Sequence, residues 1–319
     1  VSAELDATTG TTSSSTVRRP SAWRDAARAV LGSWTGRLGL ALVGIMVGAA
    51  LVSLVWVPHD PTRVVPQDRW LPISWEHWFG TDGGGKDLFS QVLVGARTTL
   101  FVAVASAVIA GIVGLALGLL AAMTPRLVGD SVAYVIDVLI AIPTLLLALV
   151  LVAVFQGSLW TVSIAIGAGS GVVLARVVRA EVARVLTQDY IAAARAAGTS
   201  TPATIRRHIL PNIAPVVIVQ LSLVAALAVL AEAALSYLGL TPVSTPSWGR
   251  MLEGLQQSVT VHPGAIVFPG LAVVLATLGF NLLGDGLRDA IDPRLRGRSA
   301  APTPDLTAAV DRSARQVAP

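Results

Sequence analysis

The sequence predicts an all-α integral membrane protein, a bundle of six spanning helices. Three observations carry this. Of the 319 residues, 54% are hydrophobic and only 13% charged, with a mean hydropathy of +0.70, whereas a soluble domain carries about 25% charged residues. Five charge-poor runs reach the ~20 residues that a helix needs to cross a hydrocarbon core of about 30 Å, and one is long enough to cross it twice. The basic residues are distributed between the connecting segments with a strong bias to one side.

The runs set the elements in order. Residues 38–57 hold no charge and are flanked by Trp34 and Trp56, whose indoles suit the headgroup layer. Residues 98–122 form the second span, closed by Met123-Thr124-Pro125-Arg126. The run at 138–175 is 38 residues long and is broken at Gln156-Gly157-Ser158, so it reads as a tight hairpin of two spans, 134–155 and 158–178. Residues 213–238 and 264–284 complete the set; the former contains one ionisable group, Glu232. Residues 1–20 lack the apolar core of a cleavable signal peptide, so the first span is expected to stay as an anchor. Segments 1–33 and 298–319 read as disordered cytoplasmic tails around a six-helix transmembrane domain at 34–297.

Eighteen of the 23 basic residues fall on the side of the two termini and the 179–212 loop, and five on the other. Because basic loops remain in the cytoplasm, both termini and that loop are expected there, in a multi-pass protein of the cell membrane. A single helix at 138–175 would put the basic loop outside. Gly44 and Gly48, Gly114 and Gly118, and Gly167 and Gly171 form small-xxx-small pairs that permit close helix approach. Pro143, Pro215 and Pro269 fall in or at the start of spans, where bends are permitted.

Several chemistries are excluded or unsupported. There is no cysteine, so disulfides, thiolate metal sites and cysteine nucleophiles are absent. A net charge of +4 does not indicate nucleic acid, since the basic residues sit beside apolar runs and the bilayer is the expected contact. Gly80-Thr81-Asp82-Gly83-Gly84-Gly85-Lys86-Asp87 nearly spells a phosphate-binding loop, but Asp87 stands where a hydroxyl would hold magnesium, and no apolar strand leads into it. It reads as a glycine-rich turn before a helix. His59, His77, His208 and His262 lack the spacing of a metal motif and read as histidines in ordinary hydrogen bonds. No catalytic, cofactor or metal residues are assigned and no enzyme activity is expected. Glu232, near the outer end of its span, is expected to pair structurally, with a pathway role second, and Asn281 to hydrogen-bond between helices.

The 179–212 segment is the most informative. Asp189 can cap a helix through an alanine-rich stretch that Gly198 stops in a left-handed turn; Thr201 and Pro202 can open a second helix running to His208, before Pro211. Tyr190, Ala193, Ala194 and Ala197 recur at helical spacing and make a small flat apolar face suited to another protein's groove.

This stretch resembles the EAA loop of ABC importer permeases: Ala193, Ala194, Gly198, Leu210 and Pro211 are in register with its pattern, while Ala192 replaces the acid and the isoleucine is displaced from His208 to Ile209. More of the chain is similar to the C-type permease subunit of the oligopeptide, dipeptide and nickel importers. The resemblance runs through Trp78-Phe79-Gly80-Thr81-Asp82, Leu235-Ser236-Tyr237-Leu238-Gly239-Leu240, Pro246-Ser247-Trp248-Gly249, Phe268-Pro269-Gly270 and Asn281-Leu282-Leu283-Gly284-Asp285. Gly84-Gly85-Lys86-Asp87 departs from the family's Leu-Gly-Arg-Asp. The resemblance implies a type I importer fold and a heterodimer with a second permease. It also implies two ATP-binding subunits docked at residues 189–211, and an extracytoplasmic substrate-binding protein. Peptides are the implied solute, with nickel or another small solute as the alternative; a secondary transporter fits less well.

Overall fold

Ser33 accepts a hydrogen bond from the Gly36 N–H and so caps α1, Trp34–Val55. It is the first membrane-length helix in the computed structural model, which describes residues 30–155, 157–242 and 245–291. Most of the two expected tails, and Gln156 of the hairpin turn, lie outside the described residues. Of the N-terminal segment, Val30 is buried and Ser33 is committed to the cap.

The further helices are α2 (Leu88–Met123), α3 (Arg126–Ile140), α4 (Thr144–Val154), α5 (Leu159–Leu186), α6 (Asp189–Ala196), α7 (Thr201–Tyr237), α8 (Trp248–Gln256) and α9 (Pro263–Ile291). Five of them, α1, α2, α5, α7 and α9, are each long and apolar enough to cross a membrane. The sixth crossing is composite: α3 and α4 qualify only together and bend by 78° at the break before Thr144. Pro143 is the cause, since its ring removes a donor and pushes the residue before it out of helical geometry. The expected span 134–155 is therefore a broken one.

Glycine contacts fix the direction of each helix. A Cβ on Gly167 would meet Ile109 and Ser106, one on Gly171 would meet Val113, and those on Gly114 and Gly118 would meet Leu174 and Val178. Residue numbers rise together along both helices, so α2 and α5 run parallel. Two parallel neighbours require the chain between them to return across the full thickness, which makes α3–α4 a crossing rather than a re-entrant loop. Arg176 pairs with Asp137 at 2.6 Å and Arg179 with Asp130 at 3.5 Å, tying α3 antiparallel to α5. Gly39 abuts Leu283 and Gly279 abuts Leu42, so α1 and α9 are antiparallel. Gly286 faces Gly36, and the start of α1 and the end of α9 thus share one face of the bundle.

Two of the three glycine pairs lie in the α2–α5 crossing. The third, Gly44 and Gly48, faces open space within this chain. Three further boundaries differ from expectation. The charge of Arg97 ends the apolar run, but the helix does not end there: α2 begins at Leu88, and Arg97 reaches across to Ser53 on α1 with its Nε at 2.5 Å from the hydroxyl. At the other end α5 continues to Leu186, so the first part of the expected 179–212 loop is helix. The helix that opens at Thr201 does not stop before Pro211 but continues through it as α7. A π-turn over Ile205–Ile209, in which the Leu210 N–H reaches Ile205 O, allows this, because the wider turn takes up the hydrogen bond and the space that the proline ring disrupts.

Candidate coupling elbow and polar knot

The bend between α5 and α7 is built on one large side chain. α6 is half alanine, and its isoleucine, Ile191, is fully buried in a cluster with Val182, Val185, Ile209 and Ile213. Burying an isoleucine is worth roughly 1.5–3 kcal/mol, enough to pin an eight-residue helix that would not hold alone. With Ile191 inward, Tyr190, Ala193 and Ala197 point out, and Ala194 is half-buried. Tyr190 is 44% exposed and lies near His208, ring centroids 6.1 Å apart. Gly198 ends α6 at φ +77, the left-handed conformation that favours glycine. The caps lie one residue earlier than the sequence suggests: Gln188 precedes α6, leaving Asp189 as its exposed first residue, and Ser200 precedes α7. Leu210 is half-buried and Pro211 exposed at the root of α7. The elbow residues thus gather on one face. Ile191, which holds them there, is the residue that sequence reasoning misses; its only signal is being the one bulky aliphatic in an alanine run.

At the other face Glu232 is 0% exposed in α7. Ser236 Oγ donates to its carboxylate at 2.6 Å and Thr99 Oγ1 of α2 at 3.2 Å, and Ser247, the residue before α8, also hydrogen-bonds to it. Thr241 Oγ1 donates on to Ser236 at 2.9 Å. Around this knot, Thr98 Oγ1 donates to Pro246 O at 2.8 Å and Trp248 Nε1 to Val92 O at 2.9 Å. Glu232 is therefore the acceptor that locks α8 and the loop before it onto α2 and α7. Asn281 is half-buried in α9, with no side-chain hydrogen bond to another helix among the described residues.

The near phosphate-loop motif is a self-satisfied turn. Gly80 and Gly85 take positive φ, Thr81 bridges Asp87, and the Gly84 and Lys86 N–H groups both donate to Asp82 Oδ1 at 2.8 and 3.0 Å. A carboxylate of the chain already occupies the place a phosphate would take. Asp87 caps α2 by accepting from Ser90 N at 2.7 Å. Nearby, Thr62 donates twice to Asp60, and those bonds hold this exposed carboxyl below its usual range. A cavity of about 850 Å³ opens on this face between the turn and α8, with Asp82, Lys86, Arg250 and Glu253 in its wall.

The chain matches the family described as "binding-protein-dependent transport system inner membrane component" over residues 114–297. It is 35% identical over 277 residues to the dipeptide transport system permease protein DppC of Alkalihalophilus pseudofirmus, covering 86% of this chain and 91% of that one. It is 33% identical to the oligopeptide transport system permease protein OppC of Bacillus subtilis, with 86% and 91% covered. A chain of the MetNI methionine ABC transporter, solved in inward-facing conformations, superposes with a TM-score of 0.52 at 18% identity, covering 97% of that chain and 63% of this one. At that identity the likeness speaks for the fold alone. With more than half of its length matched and relatives aligned almost end to end, this chain belongs to the inner-membrane permease components of binding-protein-dependent ABC importers.

Proposed function

We propose that the chain is a permease subunit of an ATP-driven importer of dipeptides or oligopeptides, forming the translocation pathway with a second permease and taking its drive from two ATP-binding subunits through residues 189–211. The observation that carries this is the elbow: a small flat face of Tyr190, Ala193 and Ala197 left exposed by a single buried anchor. Alanines bury too little area to serve as a lipid anchor, but a protein groove can seat them closely. The acid that the EAA pattern places at Ala192 is supplied one turn earlier, on a neighbouring position of the helix surface, by the exposed Asp189.

The mechanical path follows from the packing. Closure of the ATP-binding subunits pushes α6; Ile191 passes the push to α5 and α7; α7 continues from the elbow to Glu232, which holds α8 at the outer mouth. Differential grip on the two conformations supplies the coupling, and a coupling of 1–3 kcal/mol corresponds to about 5–150-fold in affinity. Peptides suit the names of the relatives and a mouth whose wall carries both signs of charge, complementary to an ammonium and a carboxylate. A substrate-binding protein delivers them at this face. Glu232, enclosed by its own chain, leaves no free acid on α7 for the proton or sodium coupling of a secondary transporter.

Ala194→Asp and Gly198→Val test the docking. Each should insert normally, while uptake of labelled peptide and permease-stimulated ATP hydrolysis both fall roughly tenfold, within the coupling range above. Full uptake in both variants would remove the elbow from the mechanism. Nickel uptake measured in the same cells decides between the two solute classes.

A further inference from the structure

Three outer segments that are distant in sequence converge on one cluster of ligand atoms. His59 follows the end of α1, Glu76 and His77 lie in the outer loop, and Asp87 caps α2. One ligand atom from each of His59, Glu76 and His77 lies within 4.8 Å of the other two. The two imidazoles pack with centroids 4.7 Å apart. His77 is 6% exposed, and its Nδ1 is 3.0 Å from Asp87 Oδ1. An ionised carboxylate can only accept, so Nδ1 is the nitrogen of His77 that donates to Asp87, and in the neutral imidazole Nε2 is then the one with a lone pair for a metal. A carboxylate on one imidazole nitrogen with the other left open is the arrangement that orients histidine metal ligands and raises their basicity.

The surroundings support the same reading. Asp87 is buried and held by Ser90, so it is a fixed support. Among the described residues the Nδ1 of His59 is buried without a hydrogen-bond partner, 3.9 Å from Asp87 Oδ2. A buried, unmatched nitrogen is rare and calls for an explanation; a bound cation supplies one. A cavity of about 370 Å³ adjoins the cluster, bounded by Pro58, His59, Asp68, His77 and Asp87. The imidazole pair on Asp87 would be sufficient for supporting the α2 cap alone, but that role uses neither Glu76 nor the idle nitrogen of His59.

We propose that His59, Glu76 and His77 bind a divalent transition cation, with Asp87 as the positioning residue for His77 and the fourth position open to water. Two imidazoles and one carboxylate suit Zn²⁺ and its neighbours rather than Mg²⁺ or Ca²⁺. Tetrahedral Zn²⁺ at the usual bond lengths needs ligand atoms about 3.4 Å apart. The cluster closes to that spacing by rotation of exposed Glu76 and of His59, whose side chain is 36% exposed, around a fixed His77. The ion would tie the end of α1 to the outer loop and to the start of α2, stiffening the face at which solute arrives. The site stands whatever the permease carries.

The test is isothermal titration of the full chain in lipid nanodiscs, carrying a tag without histidine, with Zn²⁺ as probe and Mg²⁺ as control. One saturable Zn²⁺ site is expected and none for Mg²⁺. His59→Ala and Glu76→Gln should each weaken Zn²⁺ binding by roughly tenfold or more, and Asp87→Asn, which retains a good helix cap, by about 10–100-fold. His208→Ala and His262→Ala should leave Zn²⁺ binding unchanged. Zn²⁺ should also raise the thermal transition of the unaltered chain and not that of His59→Ala. His77→Ala removes the partner of Asp87 as well, so the more exposed His59 and Glu76 are the deciding positions. Absence of saturable binding, or binding undiminished in both of those variants, overturns the proposal.

Discussion

Glu232 illustrates what a single acid does inside a bundle. Three hydroxyls, those of Thr99, Ser236 and Ser247, converge on it in a closed space. Glu232→Ala leaves these donors unmatched there. With one to three kcal/mol for each buried polar group left unpaired, the expected loss is about 3 kcal/mol or more. Glu232→Gln keeps the shape and one acceptor, and hydroxyls can rotate to accept from the new amide, so about 1 kcal/mol is expected. Thermal unfolding of the chain in nanodiscs, followed by the fluorescence of its eight tryptophans, measures both. Equal losses in the two variants would show that the carboxylate's charge, not its place in the network, is what the fold needs. Hydropathy reveals the depth of Glu232 along its span but not its partners, because Thr99 lies 133 residues away and nothing in either local pattern links them. The same holds for His59 and His77: their contact depends on how the loop between α1 and α2 folds back on the end of α1, which no periodicity encodes.

Helices are legible in the sequence where hydropathy alone decides and less so where backbone chemistry intervenes. All six crossings follow from apolar length. The start of α2 does not, because Arg97 interrupts the apolar run while its guanidinium is satisfied by Ser53 on the neighbouring helix. The π-turn before Pro211 is likewise invisible to a rule that reads proline as a stop. Glycine pairs show the limit most clearly, since spacing marks a surface that can be approached closely but not what approaches it. Gly118 is covered: an added Cβ would stand 2.6 Å from Val178. Gly44 is not, having no atom within 4 Å of such a Cβ. Gly118→Val should therefore overpack the α2–α5 crossing by about 1–3 kcal/mol. Gly44→Val should leave the isolated chain unchanged within about 0.5 kcal/mol. Unfolding in nanodiscs measures the pair. Equal destabilisation would mean that α1 is covered by this chain after all. Loss of uptake in Gly44→Val with stability intact would place the second permease on that face.

At the scale of the whole molecule, parity and orientation separate. The parallel packing of α2 and α5 requires an odd number of crossings between them, and the antiparallel packing of α1 and α9 puts the start of one and the end of the other on one face. Along the rest of the chain, α7 is the one membrane-length helix among the described residues between Ser200, at the elbow, and Gln257, just beyond α8. A spanning α7 sets those two residues on opposite sides of the bilayer, but packing leaves open which side is which. Charge supplies the expectation: the sequence assigns eighteen basic residues to the elbow's side and five to the other, and basic segments resist translocation. Because the chain has no cysteine, a single introduced thiol reports unambiguously. Both positions are exposed. In intact cells a membrane-impermeant maleimide should modify Gln257→Cys and spare Ser200→Cys until the cells are permeabilised. Modification of Ser200→Cys alone would invert the protein and with it the elbow's access to any ATP-binding subunit. Modification of both would mean that α7 does not cross, and the mechanical path from Ile191 to Glu232 would then have no membrane to traverse.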